Sequence, residues 1–276
     1  MEIKITLLDR DNQTKTGVLS YDKITKPYQV VGDDLAVLGI KEMTWSAGEK
    51  IVITLGQADQ YVWVQLDETL APTLLYIRGH QWIYTIPAEK CQVDTAFGSH
   101  RHYLMVRTAT PAEIGAYQNL AFNPHDQGVQ TAGYPHARTN VVDEPDPVFW
   151  AQNAIDGKLA NISHGSYPYG SWGIHEHANA SLTIDFGRTV KLDMVRLLFR
   201  NDHLERAHDG YWDHVTLAFS AGEEQVFETI DTAAFQTLIF SPRLTNQLTL
   251  KDLHKAPNSA RFTALTQIEA YGHNQV

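Results

Sequence analysis

Two loops in the second half of the chain carry the side-chain types that grip hydroxylated ligands. "SHGSYPYGSWGIHEH", residues 163–177, groups His164, Tyr167, Tyr169, Trp172, His175 and His177. "FRNDHLERAHDGYWDH", residues 199–214, groups Arg200, Asn201, Asp202, His203, His208, Tyr211 and Trp212. A sugar presents an apolar ring face edged by hydroxyls, so its site needs an aromatic plane flanked by groups that donate and accept hydrogen bonds. The expected sugar-binding residues are therefore Arg200, Asp202, His203, Tyr211, Trp212, Trp172 and Tyr169. Arg200, His203 and Tyr211 come first, because each tryptophan sits at a strand edge where burial in the core competes with stacking on a ligand. Arg200 has its own alternative, an internal pair with Asp202 or Asp209.

Other chemistries find less support. Thirteen histidines invite a metal reading: His175 and His177 with His164 in one cluster, His100 and His102 in another. Along a strand each pair shares a face, yet zinc needs a third convergent ligand that the spacing does not name. No nucleophile elbow, phosphate-binding glycine loop, dinucleotide fingerprint or zinc-protease helix motif occurs. Cys91, the single cysteine, excludes an internal disulfide and reads as a small buried hydrophobe.

The 22 basic and 32 acidic side chains give a formal charge of −10, so no basic stripe is available for phosphates or an anionic membrane surface. Nucleic acid is not an expected partner. The longest apolar runs, such as 194–199, are strand-sized and broken by charge, so no membrane span is expected. The first residues, "MEIKITLLDRDNQTK", read as a strand rather than a signal peptide. With the lone cysteine, this gives a cytoplasmic expectation. The sequons at Asn161 and Asn179 are taken as chance.

The elements that must position these loops have period two almost throughout. "EIKITLL", "LAVLGIKEMTW", "KIVITLG", "YVWVQLD", "TLLYIRG", "QWIYTIP" and "HYLMVRTA" read as strands separated by glycine-containing turns. "TPAEIGAYQNLA", residues 110–121, predicts a short helix with Thr110 as N-cap, Pro111 at the first helical position and Glu113 closing a capping box. A proline- and turn-rich stretch follows, then one or two helical turns in "VFWAQNAID". Strands resume at "SLTIDFG", "MVRLLFR", "HVTLAFS", "NQLTLKDL" and "ALTQIEAYG". The expectation is an all-β chain of two domains: an N-terminal β-sandwich over 1–120, a linker over 121–148 and a second sandwich over 149–276.

Residues 145–272 resemble the discoidin or coagulation-factor type C family, a galactose-binding-like jelly roll used by many carbohydrate-binding modules. The resemblance rests on an ordered set: "NAIDGK" at 153–158, "SWG" at 171–173, "SLTIDFGRTVKLDMVRLLFR" at 181–200, "YWDHVTLAFSAG" at 211–222 and "LTQIEAYG" at 265–272. It implies a jelly roll whose ligands bind at loops on one end of the sandwich. It also implies a structural Ca²⁺ held by the loop after the Asp-Gly pair and by an acid on the last strand, here Asp156, Lys158, Asn161 and Glu269. Lys158 stands where a small amide is usual. The alternative for that loop has Asp156 accepting backbone N–H bonds and Glu269 paired with a nearby base, with no ion.

These readings converge on a non-catalytic carbohydrate-binding protein, with the N-terminal sandwich as a packed partner or a surface for homo-oligomer formation. Two other classes stay open. One is a sugar-processing hydrolase with a site between the domains, using His100, His102 or Asp126; the other is a structural or protein-interaction module.

Overall fold

The computed structural model of the chain describes residues 1–19, 23–88, 95–128, 130–141, 146–202, 208–257 and 259–275, and Cys91 and His203 lie outside them. The chain divides into two compact units. One is Met1–Glu113 with Gln130–Tyr134, the other Ile114–Val129 with Pro135–Val276.

The first unit begins with β1 (Glu2–Leu8), β2 (Thr16–Val18), β3 (Thr25–Pro27), β4 (Gln29–Asp33) and β5 (Leu35–Ile40). It continues with β6 (Lys50–Leu55), β7 (Gln60–Gln65), β8 (Thr73–Ile77), β9 (Gln81–Thr85) and β10 (His102–Thr108). After helix α1 (Pro111–Gly115) and β11 (Gln118–Asn119), β12 (Gly133–Tyr134) completes it. One sheet has the order β4-β1-β6-β9, the other β12-β8-β7-β10-β5, and β2 pairs with β3. Ile3, Ile5, Ile51 and Ile53 of the first sheet and Val62, Val64, Leu104 and Val106 of the second are all fully buried in one core cluster. Each such side chain contributes about 1.5–3 kcal/mol by leaving water. Gly133 is required where it stands, because a Cβ there would lie 2.8 Å from the Trp82 ring.

The helix expected over 110–121 is a single turn, Pro111–Gly115. Its cap follows the sequence: Thr110 Oγ1 accepts the Glu113 amide at 3.3 Å, and the Glu113 carboxylate accepts the Thr110 amide at 2.8 Å. It stops early because Gln118 and Asn119 pair with the last strand of the second unit, opposite Gly272 and Tyr271. A tertiary ladder overrides local propensity there.

The second unit contains β11, β13 (His136–Thr139), β14 (Trp172–Gly173), β15 (Leu182–Phe199), β16 (Trp212–Phe219), β17 (Glu224–Glu228), β18 (Gln236–Lys255) and β19 (Ala264–Asn274). Their order is β11-β19-β15-β18-β16-β17, with β13 added on β15 and β14 on β19. "SLTIDFG" and "MVRLLFR" are not separate strands but two halves of the 18-residue β15. Gly187, at φ 67°, and register shifts between Asp185 and Val190 and between Leu192 and Met194 bend it. Bulges of this kind re-aim a strand without ending it. Leu182, Ile184 and Phe186 before the bend and Val195, Leu197 and Phe199 after it therefore meet in one buried cluster with Leu248, Leu250, Leu265 and Ile268.

The segment 121–148, expected as a linker, is built into both units. It supplies β12 to the first and β13 to the second, where His136–Thr139 pair with Leu182–Asp185. His125, Asp126 and His136 are buried. Asp126 accepts the His136 Nδ1 hydrogen at 2.6 Å and the Ala137 amide at 2.8 Å, tying the segment to the sheet. The polar side chains of Asp126 and His136 are satisfied by internal hydrogen bonds. His125 stays neutral, burial lowering its pKa to about 3.

Candidate functional site

The expected residues separate by burial. Trp172 and Trp212 are 0% and 1% exposed and belong to the core of the second unit. Their rings lie 6.3 Å apart, and Trp212 meets Phe199 edge-on at 5.2 Å. Neither can stack on a ligand, which corrects that assignment. Tyr211 is half-buried against the same core, and its carbonyl accepts the Ala256 amide at 3.0 Å. Tyr169 is half-buried, its amide bonded to the Ser166 carbonyl at 3.1 Å. Neither tyrosine borders the cavity described next, and His203 lies outside the described residues.

A cavity of about 520 Å³ opens in the second unit. Its wall comes from four stretches: Asp146 and Phe149, the 164–175 loop, Arg200 with His208, and Phe262–Ala264. The first is shaped by a 3₁₀ turn, Pro147–Phe149, which Asp146 caps by accepting the Val148 amide at 3.2 Å. Gly173 lies against Phe149, where a Cβ would come within 3.2 Å of the Phe149 Cβ. A larger residue would crowd that wall.

Arg200 follows the last residue of β15, and its amide bonds the Ala264 carbonyl at 3.0 Å. Its guanidinium grips Asp209: Nη2 donates to Oδ1 at 2.7 Å, and Nε lies 3.1 and 3.0 Å from the two oxygens. The two side chains are 4% and 2% exposed. The internal pairing weighed for Arg200 is thus real, with Asp209 as the partner. Burial pushes the Asp209 carboxyl up, but the Arg200 hydrogen bonds and charge, His208 and the Asp202 amide together hold it below its ordinary value. Arg200 Nη1 keeps only a 3.5 Å contact with Ser171 Oγ, and the Arg200 carbon lies 5.8 Å from the Phe149 ring centroid.

His164 and His208 stack with centroids 4.1 Å apart and planes 9° apart. Each Nδ1 is tied to a buried acid: His164 to Asp202 Oδ2 at 3.1 Å, His208 to Asp209 Oδ1 at 2.9 Å. A carboxylate only accepts, so Nδ1 carries the proton in each neutral ring and Nε2 is left as a bare acceptor. Among the described residues neither Nε2 has a protein partner. Phe262 continues the stack, its ring 4.9 Å from His208. Asp202, 3% exposed, holds His164 at Nδ1 and does not border the cavity.

The histidine-rich turn after Trp172 is not a strand. His175 and Glu176 have φ of 45° and 59°, so His175 and His177 do not share a strand face, and neither belongs to a metal-ligating cluster among the described residues. His102 is a core residue, its Nε2 2.9 Å from the Met43 carbonyl and its ring against Trp45, whereas His100 is exposed.

At the Asp-Gly turn, Asp156 is buried and its Oδ1 accepts the Lys158 amide at 2.8 Å. Burial pushes its pKa up to about 7, against the pull of the Lys158 amide, the Lys158 charge and its own amide. The last-strand residue that meets the turn is Gln267, whose Oε1 accepts the Gly157 amide at 3.1 Å. Glu269 pairs with Arg196 at 2.9 Å and accepts from Tyr271 at 3.2 Å. Asn161 donates its amide to the Phe199 and Ala233 carbonyls, while its own carbonyl accepts the Asn201 amide. Calcium requires six to eight convergent oxygens, and this set does not fit it: Glu269 and Asn161 are committed elsewhere and Lys158 brings a cation.

Phe149 and Phe262 escape notice in the sequence because each stands outside the loops rich in polar aromatics. Their only signal is a phenylalanine just before the "NAIDG" turn and another just before the last strand.

No family model matches the chain, and no curated protein matches it. Solved structures similar to it include chitosan-binding module 1 of a chitosanase/glucanase from Paenibacillus sp. IK-5, 15% identical, covering 57% of this chain and 100% of that one at a TM-score of 0.40. Another is the lectin domain of lectinolysin complexed with Lewis B antigen, 18% identical, covering 56% and 96% at 0.40. A third is the family 32 carbohydrate-binding module of C. perfringens NanJ in complex with galactose, 16% identical, covering 50% and 93% at 0.36. Those proteins are carbohydrate-binding modules and a lectin domain.

Proposed function

We propose that the second unit binds carbohydrate without catalysis, in the cavity walled by Phe149, His164, Arg200, His208 and Phe262. One observation carries the reading: two parallel imidazoles, each fixed at Nδ1 by a buried aspartate, present adjacent Nε2 acceptors beside an arginine. Neighbouring hydroxyls of a sugar ring can donate to that pair, while Arg200 Nη1 donates to a ring or hydroxyl oxygen. The half-buried Phe149 and Phe262 rings supply apolar faces for C–H groups. The volume, about 520 Å³, lies within the roughly 300–1,000 Å³ of small-molecule sites.

The acids here are positioning groups. Asp202 and Asp209 are spent on His164, His208 and Arg200, which argues for binding rather than acid–base hydrolysis. A glycan array followed by calorimetry on the full chain tests the reading. His164→Ala and Phe149→Ala should each weaken sugar binding at least about tenfold, or ~1.4 kcal/mol, with the fold intact by circular dichroism. Tyr211→Phe, away from the wall, should bind as the parent does. Absence of any sugar ligand, or unchanged binding by the two wall variants, would overturn it.

A further inference from the structure

A second group of histidines lies on the exposed side of β16 and β18 and does not border the cavity. His214 and His254 are direct partners in the antiparallel register of these strands, and Glu228 of β17 faces His214 from the other side. Regular alternation would send Asp213 and His214 to opposite faces. Register shifts on both sides of His214 mark an irregular stretch there, and a bulge lets consecutive side chains share a face. Burial agrees: Trp212 and Val215 are in the core, whereas the Asp213, His214 and His254 side chains are 22%, 46% and 64% exposed.

The two rings aim at one point. His214 Nδ1 lies 2.8 Å and His254 Nδ1 2.5 Å from the same oxygen, Asp213 Oδ1. The ring planes cross at 80° with centroids 5.9 Å apart, and the three ligand atoms fall within 4.8 Å of one another. We propose that Asp213, His214 and His254 form a binding site for a divalent transition-metal ion of the zinc, copper or nickel type. Two imidazoles with one carboxylate suit these borderline ions and give too few oxygens for calcium or magnesium. The ion displaces the two Nδ1 hydrogens, the present 2.5 and 2.8 Å contacts opening to the roughly 3 Å that separates ligands of one ion, and each neutral ring then carries its proton on Nε2. His214 Nε2 is 4.0 Å from Glu228 Oε1, and the Glu228 side chain is 90% exposed and free to close. A carboxylate behind the distal N–H is the usual partner of a metal-ligating imidazole. Water fills the remaining positions, so affinity on the order of micromolar is expected rather than that of a closed four-ligand structural site.

The test is calorimetric titration of the chelator-treated, untagged full chain with zinc chloride. One ion per chain should bind, and His214→Ala and His254→Ala should each lower the affinity at least tenfold. Glu228→Gln should lower it less. His164→Ala is the control for the other histidine–aspartate group, His164 with Asp202 and His208, and should leave the titration unchanged. The exposed variants keep the parent's melting curve without metal, which separates lost ligation from lost fold. No binding up to about millimolar zinc, or binding removed by His164→Ala and not by His254→Ala, overturns the proposal; neither result bears on the sugar cavity.

Discussion

Asp209 and Asp156 are both buried aspartates of the second unit, and their carboxyls respond to burial in opposite ways. Asp209, its side chain 2% exposed, is held below its ordinary pKa by Arg200. Asp156, 3% exposed, is pushed up to about 7 because the Lys158 charge and the backbone amides offset only part of its loss of water. Burial sets the cost of a charge, and the partner decides whether the charge survives it. The same contrast separates the roles. Asp209 fixes the guanidinium and the His208 ring that face the cavity, whereas Asp156 closes a turn through the Lys158 amide and leaves the last-strand contact to Gln267.

The contrast breaks most visibly if the partner is removed. Asp209→Ala leaves a buried guanidinium uncompensated and should cost about 3–5 kcal/mol of stability, read by denaturant unfolding, with loss of sugar binding. A smaller loss would mean that Arg200 relaxes to solvent. The pH dependence of stability should next show two opposite signatures. Asp209, with its folded pKa lowered, adds stability above the ordinary carboxylate range that is lost as pH falls through its folded value. Asp156, with its folded pKa raised to about 7, is protonated in the folded chain while the unfolded chain has ionised, so its contribution falls as pH rises from about 4 to 7. Asp156→Asn keeps the acceptor for Lys158 and should remove that decline. It should gain roughly 2–4 kcal/mol over the parent at pH 8 and little at pH 4. Equal pH profiles for parent and variant would show that the buried carboxyl has found a compensating charge.

Smaller effects sharpen the comparison. Gln267→Ala removes the acceptor for the Gly157 amide and should cost about 1–3 kcal/mol, while Glu269→Gln, which loses a partly exposed ion pair with Arg196, should cost no more than about 1 kcal/mol. The reverse order would return the turn's anchor to Glu269. Smallest of all is calcium: adding it after EGTA should leave the melting midpoint where it was, since an ion that bound only the folded chain would raise it.

Local pattern carried the architecture. Strands such as β1, β5 and β10 are legible because alternation is a property of a few adjacent residues, and the Thr110–Glu113 cap needs only a spacing of three. The sequence also singled out Arg200, and His164 and His208 as members of polar loops. Tertiary structure decided the rest, because burial and convergence are set by residues far apart in the chain. It sent Trp172 and Trp212 to the core and joined two apparent strands across a bend at Gly187. It brought Phe149 and Phe262, more than a hundred residues apart, to one cavity beside Arg200. A hydrophobic aromatic carries no local mark of which way it will face; only the packing of the sheet around it assigns that.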